Sequence, residues 1–160
     1  MTGTSATTFE PNIATTRSMI VTILYRLEGE PATDAICSFN DVADDAWYAT
    51  AVAWAAENGI VKGYSAYEFA PQENITREQI ASMLYRYAIY KGMDAVTLEE
   101  NLLSFSDYED ISSYAVSAMN WAVGLNLITG IDASTLSPTE SATRAQIAAI
   151  LTRFVEATAG

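Results

Sequence analysis

Histidine is absent from the 160-residue sequence, and cysteine occurs once, as Cys37. Histidine is the commonest metal ligand and the commonest general base, so its absence argues against both kinds of site. One cysteine cannot form a disulfide within the chain. Adjacent acids such as Asp44-Asp45 would not face each other on a helix, and no nucleophile stands beside a base. We therefore expect no enzyme activity, no cofactor and no metal, with calcium at the acidic loops left as an alternative.

Positive charge is also scarce, with 8 Lys and Arg against 20 Asp and Glu, and the formal net charge is −12. Duplex nucleic acid is bound largely through basic contacts to phosphate, so we expect no nucleic-acid partner. No run approaches the roughly 20 apolar residues that span a bilayer, which predicts no membrane insertion. Half of the residues are nevertheless hydrophobic. That is enough for the core of one domain, 1–160.

One pattern occurs three times, at 9–26, 69–86 and 136–153, and the chain is organised around it. Each copy has an aromatic residue or Leu, then Pro, then a Thr-Arg pair, with a second Arg nine residues after the first. The pairs are Thr16-Arg17, Thr76-Arg77 and Thr143-Arg144. Repetition of this kind indicates one structural unit used three times.

Each copy begins a helix. The threonine suits an N-cap, and the residue three positions later is the partner in a capping box in two of the three copies, as Gln79 and Gln146, but is Met19 in the first. Apolar residues then recur at helical spacing and predict one buried stripe on each helix. The stripes contain Ile80, Met83, Leu84, Tyr87 and Ala88 in the second copy, and Ile147, Ile150, Leu151, Phe154 and Val155 in the third.

A shorter amphipathic helix precedes the second and third capped helices. Its stripe in the second repeat is Tyr48, Val52, Ala55 and Ala56, and in the third repeat it covers about 113–124. Gly59 and Asn126 follow these two helices, and both residue types tolerate the left-handed conformation of a helix end. The prediction is an all-α, pseudo-threefold bundle of helix–loop–helix repeats.

The first repeat is expected to be truncated. Met1-Thr-Gly3 aligns with Val61-Lys-Gly63 and Ile128-Thr-Gly130, so the chain begins within a repeat. The units are then partial repeat one (1–29), repeat two (39–92) and repeat three (105–158), with linkers at 30–38 and 93–104. The missing first helix predicts an exposed apolar face, or self-association through that face.

With these residues in place, the chain resembles the S-layer homology family. The residues that carry the resemblance are Phe39-Asn-Asp41-Val, Trp47-Tyr48, Gly59-Ile60, Gly63, Phe69, Pro71 and Ile75-Thr76-Arg77, with their counterparts in repeat three. The usual Glu after Thr-Arg-Ala is replaced here by Met19, Gln79 and Gln146. The resemblance implies a three-pronged helical spindle in a larger exported protein, at the bacterial cell surface or cell wall. It also implies noncovalent attachment to secondary cell-wall polysaccharide, often one that carries a pyruvate ketal.

The arginines Arg17, Arg77 and Arg144 stand at the first helical position. A cation there opposes the helix dipole by about 0.3–1 kcal/mol, so something should compensate for it. Arginine binds carboxylates through two hydrogen bonds, and helix N-terminal amides favour the same charge. We therefore expect grooves between neighbouring repeats with one such arginine at the base of each. The remaining candidate contacts are Asp41, Asp107, Trp47, Thr76, Thr143, Gly63 and Gly130.

Structural interpretations of these residues stay open. The first-position arginines could pair with Asp41, Asp107 or other carboxylates and join the repeats together. The threonines are helix caps first, and the second arginine set, Arg26, Arg86 and Arg153, is interpreted as structural. The alternative function is a protein–protein assembly module of a surface protein that keeps the fold without binding glycan.

Overall fold

Five α-helices form the bundle in the computed structural model, which describes residues 14–63, 65, 67–93 and 102–158. The helices are α1 (Arg17–Leu27), α2 (Ala49–Glu57), α3 (Arg77–Tyr90), α4 (Val116–Gly124) and α5 (Arg144–Thr158). Two single 3₁₀ turns, Tyr108–Asp110 and Ser113–Ala115, lead into α4. The all-α prediction is confirmed. The first copy's Phe9 and Pro11, the aligned Met1-Thr-Gly3 and most of linker 93–104 lie outside the described residues.

The three long helices begin at their threonines, as expected. The Thr76 hydroxyl accepts a bond from the Gln79 amide, and the Gln79 side chain accepts one from the Thr76 amide at 3.0 Å. Thr143 and Gln146 exchange the same two bonds, each at 3.1 Å. In α1 only the bond to the Thr16 hydroxyl forms, because its partner residue is a methionine. Two full capping boxes and one half box therefore define the three helix starts.

The segments that enter α1, α3 and α5 pair with one another in a closed cycle. Three isolated β-bridges join Thr16 to Asn74, Thr76 to Ser141, and Thr143 to Ala14. Each bridge connects the N-cap of one repeat with the residue two positions before the N-cap of the next, and the third repeat returns to the first. This cycle gives the bundle its pseudo-threefold relation.

The short helices lie against the long helix of the preceding repeat, α2 on α1 and α4 on α3. Gly59 and Asn126 follow them with φ of 72° and 59°, so both adopt the predicted left-handed conformation. Trp54 and Trp121 are buried. Ring contacts with centroids 5.3–6.4 Å apart run through the bundle in the order Tyr25, Trp54, Tyr90, Tyr87, Phe154, Trp121 and Tyr85.

The stripe of α3 is buried along its whole length, whereas that of α5 is not. The prediction for Val155 is wrong, since its side chain is 46% exposed although Phe154 beside it is buried. Its equivalent in α3 is Ala88, which is fully covered. Self-association through the incomplete first repeat stays a prediction.

Candidate functional site

The first-position arginines are buried, each with 4–5% of its surface exposed. The Arg77 Nε donates to the Leu136 carbonyl at 2.7 Å, and its Nη2 donates to the Thr129 carbonyl at 2.6 Å. The Arg17 Nε donates to the Phe69 carbonyl at 2.9 Å, with its guanidinium carbon 4.8 Å from the centroid of the Phe69 ring. These carbonyls belong to the loop of the following repeat. Arg17 and Arg77 therefore each tie two repeats together.

The first backbone amides of these helices are also engaged. The Arg17 and Ser18 amides donate to the carbonyls of Glu73 and Pro71, at 2.9 and 3.1 Å. The equivalent amides of α3 donate to carbonyls of the third repeat, at 3.0 and 2.8 Å. Carbonyl oxygens thus compensate for the positive helix end. The expectation that these amides attract a bound anion is wrong at α1 and α3.

Burial lowers the pKa of Arg77, and the negative charges of Glu140 and Asp107 act against that change. A guanidinium remains protonated under such an influence at ordinary pH. The contacts that hold Arg77 are carbonyls rather than the carboxylates that the structural interpretation expected. The buried charge is accommodated because charge-assisted hydrogen bonds are stronger than neutral ones.

Asp41 and Asp107 each fix the loop before the long helix of their own repeat, through two hydrogen bonds to its backbone amides. The two carboxylate oxygens of Asp41 accept bonds from the Phe69 and Ala70 amides, at 2.9 and 2.7 Å. Asp107 makes the same pair of bonds in the third repeat, at 2.9 and 2.8 Å. Ala70 has a φ of 59°, a conformation that needs such support in a residue with a side chain. Neither aspartate lines the two grooves described next, so the structure gives both a structural role.

A groove of about 260 Å³ lies between α5 and the loop at 128–131. Arg77 and Arg153 line it together with Gly130 and Gln146, and Ile128 and Ile150 supply apolar surface.

A second groove, of about 320 Å³, lies between α3 and the loop at 61–63. It is built from equivalent residues of the preceding repeat: Arg17, Arg86, Gly63, Gln79, Val61 and Met83, joined by Lys62 and Tyr114. Two grooves of one design therefore lie between neighbouring repeats, each with a first-position arginine in its lining. The corresponding groove of Arg144 would involve residues outside the described ranges.

The structural interpretation of the second arginine set overlooked these grooves. Arg86 and Arg153 line them, although each stands about half a helical turn around from the first-position arginine. A long helical side chain leans toward the helix N-terminus, which the spacing alone did not reveal. Burial lowers the pKa of Arg86, an effect opposed by the nearby Tyr114. Arg26 differs, since its side chain is 63% exposed and lies 3.8 Å from Glu30.

The charge distribution is uneven. Five of the eight basic residues line the two grooves, and no acidic residue in the described part of the chain does. The five are Arg17, Lys62, Arg77, Arg86 and Arg153. A chain with a net charge of −12 therefore contains two positively charged concavities. Such a concavity attracts anions locally even on an acidic protein.

The remaining candidates divide between groove lining, caps and open surface. Gly63 and Gly130 lie in the groove linings, and a Cβ on Gly63 would sit 2.5 Å from the Glu68 carbonyl oxygen. Thr76 and Thr143 act as helix caps. Trp47 is 62% exposed with its ring edge against Tyr48, and it lies outside both grooves.

Comparison with known sequences finds the same repeated unit in two places along the chain. The profile of the S-layer homology domain matches residues 38–81 and 104–148, which together are more than half of the chain. The chain belongs to the S-layer homology family. Membership makes it a module of the extracellular bacterial cell surface, with an anchoring rather than a catalytic role.

Relatives of this S-layer homology domain are much longer proteins. It is 36% identical to an endoglucanase of Bacillus sp. (strain KSM-635), over 97% of this chain and 16% of that protein. It is 35% identical to a surface-layer 125 kDa protein of Lysinibacillus sphaericus, over 92% of this chain and 12% of that protein. A cellulosome-anchoring protein of Acetivibrio thermocellus is 26% identical, over 92% of this chain and 33% of that protein.

The chain thus spans between an eighth and a third of these relatives, and the enzyme among them matches over this region alone. No helix in the described part of this S-layer homology domain is long and apolar enough to cross a membrane. The same residues contain no group of three or more acidic or cysteine side chains placed to hold a metal ion.

Proposed function

We propose that the two grooves bind an anionic secondary cell-wall polysaccharide and so attach the parent protein to the wall without a covalent bond. The observation that carries this proposal is the gathering of five of the eight basic residues into two grooves whose described lining contains no acidic residue. A structural role alone does not require the cations to gather in the grooves in this way. The names of two relatives, a surface-layer protein and a cellulosome-anchoring protein, support the same function.

The groove chemistry suits a sugar that carries a pyruvate ketal. Such a ketal presents a carboxylate and a methyl group on one carbon. In the second-repeat groove, Arg86 and Lys62 can receive the carboxylate, while Val61 and Met83 offer apolar surface to the methyl group. In the third-repeat groove, Arg153 takes the place of Arg86 beside two isoleucines. Arginine can grip the carboxylate through two parallel bonds.

The first-position arginines of the two grooves have a different role in this proposal from Arg86 and Arg153. Arg77 and Arg17 are committed to loop carbonyls, so they shape the groove and supply its positive potential. Arg86 is available to contact the ligand directly, and Arg153, whose Nη1 donates to the Leu127 carbonyl at 3.4 Å, keeps its other donors for the ligand. Two grooves on one glycan chain add avidity, because binding at one site raises the effective concentration at the other.

The test is sedimentation with purified wall sacculi, before and after removal of their polysaccharide. The double variant Arg86→Gln/Arg153→Gln removes one cation from each groove, and we expect it to weaken pelleting by tenfold or more, about 1.4 kcal/mol or above. Arg77 is avoided because its replacement would also release the loop. The matched control is Arg26→Gln, the equivalent position in α1, which lies outside both described grooves and should pellet like the unaltered protein.

Two results would overturn the proposal. One is pelleting that survives removal of the polysaccharide, which indicates a protein partner and the assembly alternative. The other is a double variant that pellets as well as the control while its circular dichroism remains helical. In that case the groove cations serve the fold alone.

A further inference from the structure

A recess of about 550 Å³ opens beside the second-repeat groove. The two concavities share Lys62, Ser82, Arg86 and Tyr114 in their linings. They are therefore parts of one cleft whose cations lie at the junction. The far part is lined by Tyr85 and Tyr90 with Ile89 and Ser117, and we call it the tyrosine recess. Its size lies within the range of about 300–1,000 Å³ usual for small-molecule sites.

The rings of the tyrosine recess are fixed from behind by the core. The Tyr85 ring meets the buried Trp121 at a centroid distance of 5.6 Å, and the Tyr90 ring meets the buried Trp54 at 5.7 Å, both nearly edge-on. Tyr90 is nevertheless 38% exposed, and Tyr114 at the junction is 53% exposed. Rings held in this way lose little conformational freedom when a ligand packs on them, which favours binding.

The third repeat does not reproduce this recess. The positions equivalent to Tyr85 and Tyr90 are Thr152 and Ala157, and Glu156 stands in place of Ile89. The two grooves thus share an anion-binding part, and only the second-repeat groove, among the described residues, continues into an aromatic recess. A role in the packing of the common fold would be expected in both repeats.

We propose that the tyrosine recess is a second sugar subsite, which holds an uncharged ring adjacent to the acidic sugar in the second-repeat groove. The inference rests on the proposed function. The far part has no charged residue in its lining, so it has nothing to offer a second carboxylate. Tyrosine provides an apolar face for the C–H side of a sugar and a hydroxyl for its polar edge. The cleft therefore selects an acidic sugar within or at the end of a chain over the isolated acidic sugar.

The experiment measures affinity against glycan length. Wall polysaccharide is released from sacculi, partly hydrolysed and separated into fragments of one, two and three sugars that retain the acidic group, and each is titrated by calorimetry. We expect the two-sugar fragment to bind about tenfold more tightly than the single acidic sugar. Tyr90→Ala should remove that gain and leave the single-sugar affinity unchanged, because Tyr90 lies outside the anion-binding part.

Three comparisons make the outcome decisive. Tyr108→Ala, at a tyrosine that is 37% exposed and outside the cleft, should keep the gain, and Tyr90→Phe, which keeps the ring and loses only the hydroxyl, should keep most of it. Saturation-transfer NMR on the unaltered protein should show the second ring receiving magnetisation from tyrosine protons, a readout independent of any variant. Binding of every fragment with equal affinity, or a gain that Tyr90→Ala keeps, overturns the second subsite alone. No binding of any acidic fragment overturns the proposed function and the subsite with it.

Discussion

Individual residues in this domain serve the fold and the grooves at once. Arg77 is buried by its own repeat yet donates to two carbonyls of the next, and Asp107 holds the amide of Leu136, one of the residues whose carbonyls Arg77 bonds. Arg77 and Asp107 therefore both bond to the same loop, and they do not form an ion pair with each other within the described structure. A groove wall built in this way is rigid before any ligand arrives, which reduces the free-energy cost of binding.

Gly63, in the loop that lines the second-repeat groove, gives a stability prediction when it is compared with Gly59. Gly63 and Gly59 have nearly equal φ values, 74° and 72°, but a Cβ on Gly63 would meet the Glu68 carbonyl at 2.5 Å and the Phe39 ring at 2.6 Å. A Cβ on Gly59 would meet nothing within 4 Å. We expect Gly59→Ala to cost about 1–2 kcal/mol from the left-handed conformation. Gly63→Ala should cost about 1–3 kcal/mol more from overpacking.

Urea unfolding followed by circular dichroism measures both glycine variants. Gly59→Ala serves as the control, since it carries the backbone strain without the collision. Equal losses of unfolding free energy would show that the loop accommodates the added carbon. That result would remove the argument that Gly63 is fixed by close packing against the groove wall.

For the helices and loops, the sequence predicted contacts between residues that are close in the chain and missed contacts between residues that are far apart. Thr76 and Gln79 are three residues apart, so their capping box could be read from the sequence, as could the buried stripe that begins at Ile80. The bonds from Asp41 to the loop at Phe69, and from Arg17 to the same loop, join residues far apart in the chain. No periodicity reports such contacts, which is why the bonds from the aspartates to the loop amides were not predicted.

The same reasoning explains what the sequence did not reveal about the long helices. The exposure of Val155 depends on which helix covers α5, a question of neighbours rather than of spacing. The place of Arg86 in a groove depends on the loop opposite and on the lean of its side chain. The repeat boundaries 1–29, 39–92 and 105–158 remain a prediction, although the described helices fit within them.

A contact between the ends of α1 and α3 gives a pH prediction. Glu28 accepts a bond from the Tyr87 hydroxyl at 2.5 Å and lies 2.8 Å from the Lys91 ammonium. Burial alone would raise the pKa of Glu28, but the bonds from Lys91 and Tyr87 outweigh it and lower the pKa. A lowered carboxyl pKa contributes stability above its unfolded value, near pH 4.3, that is lost as the pH falls further.

We therefore expect the melting temperature of the unaltered protein to fall more between about pH 6 and pH 3 than that of Glu28→Gln, which cannot lose a charge there. Glu30→Gln is the control. Glu30 lies 3.8 Å from Arg26, and both side chains are exposed, so this ion pair contributes little to stability. Glu30→Gln should follow the unaltered protein. Parallel curves for the unaltered protein and Glu28→Gln would contradict the coupling of these two helix ends.

For the whole molecule, three cap segments close a cycle, and two concave grooves lie between neighbouring repeats. Five of the eight basic residues line these grooves, so the rest of the chain has 3 basic and 20 acidic residues, a net charge of −17. Close contacts inside a groove are only weakly screened by salt, whereas repulsion between distant exposed charges is strongly screened. Under the proposed function, an anionic glycan would meet repulsion as it approaches and attraction once it is bound.

This separation predicts an unusual salt dependence. Between about 0.01 M and 0.15 M salt the Debye length falls from roughly 30 Å to 8 Å, which removes the long-range repulsion and leaves most of the contact energy. We expect the association rate on immobilised wall polysaccharide, measured by surface plasmon resonance, to rise severalfold over this range, with a smaller change in the dissociation rate. Polysaccharide whose carboxyl groups have been reduced to alcohols is the control, and it should show no such rise. An association rate that falls with added salt, as for a basic protein on an anionic polymer, would show that the groove potential outweighs the acidic surface even at long range.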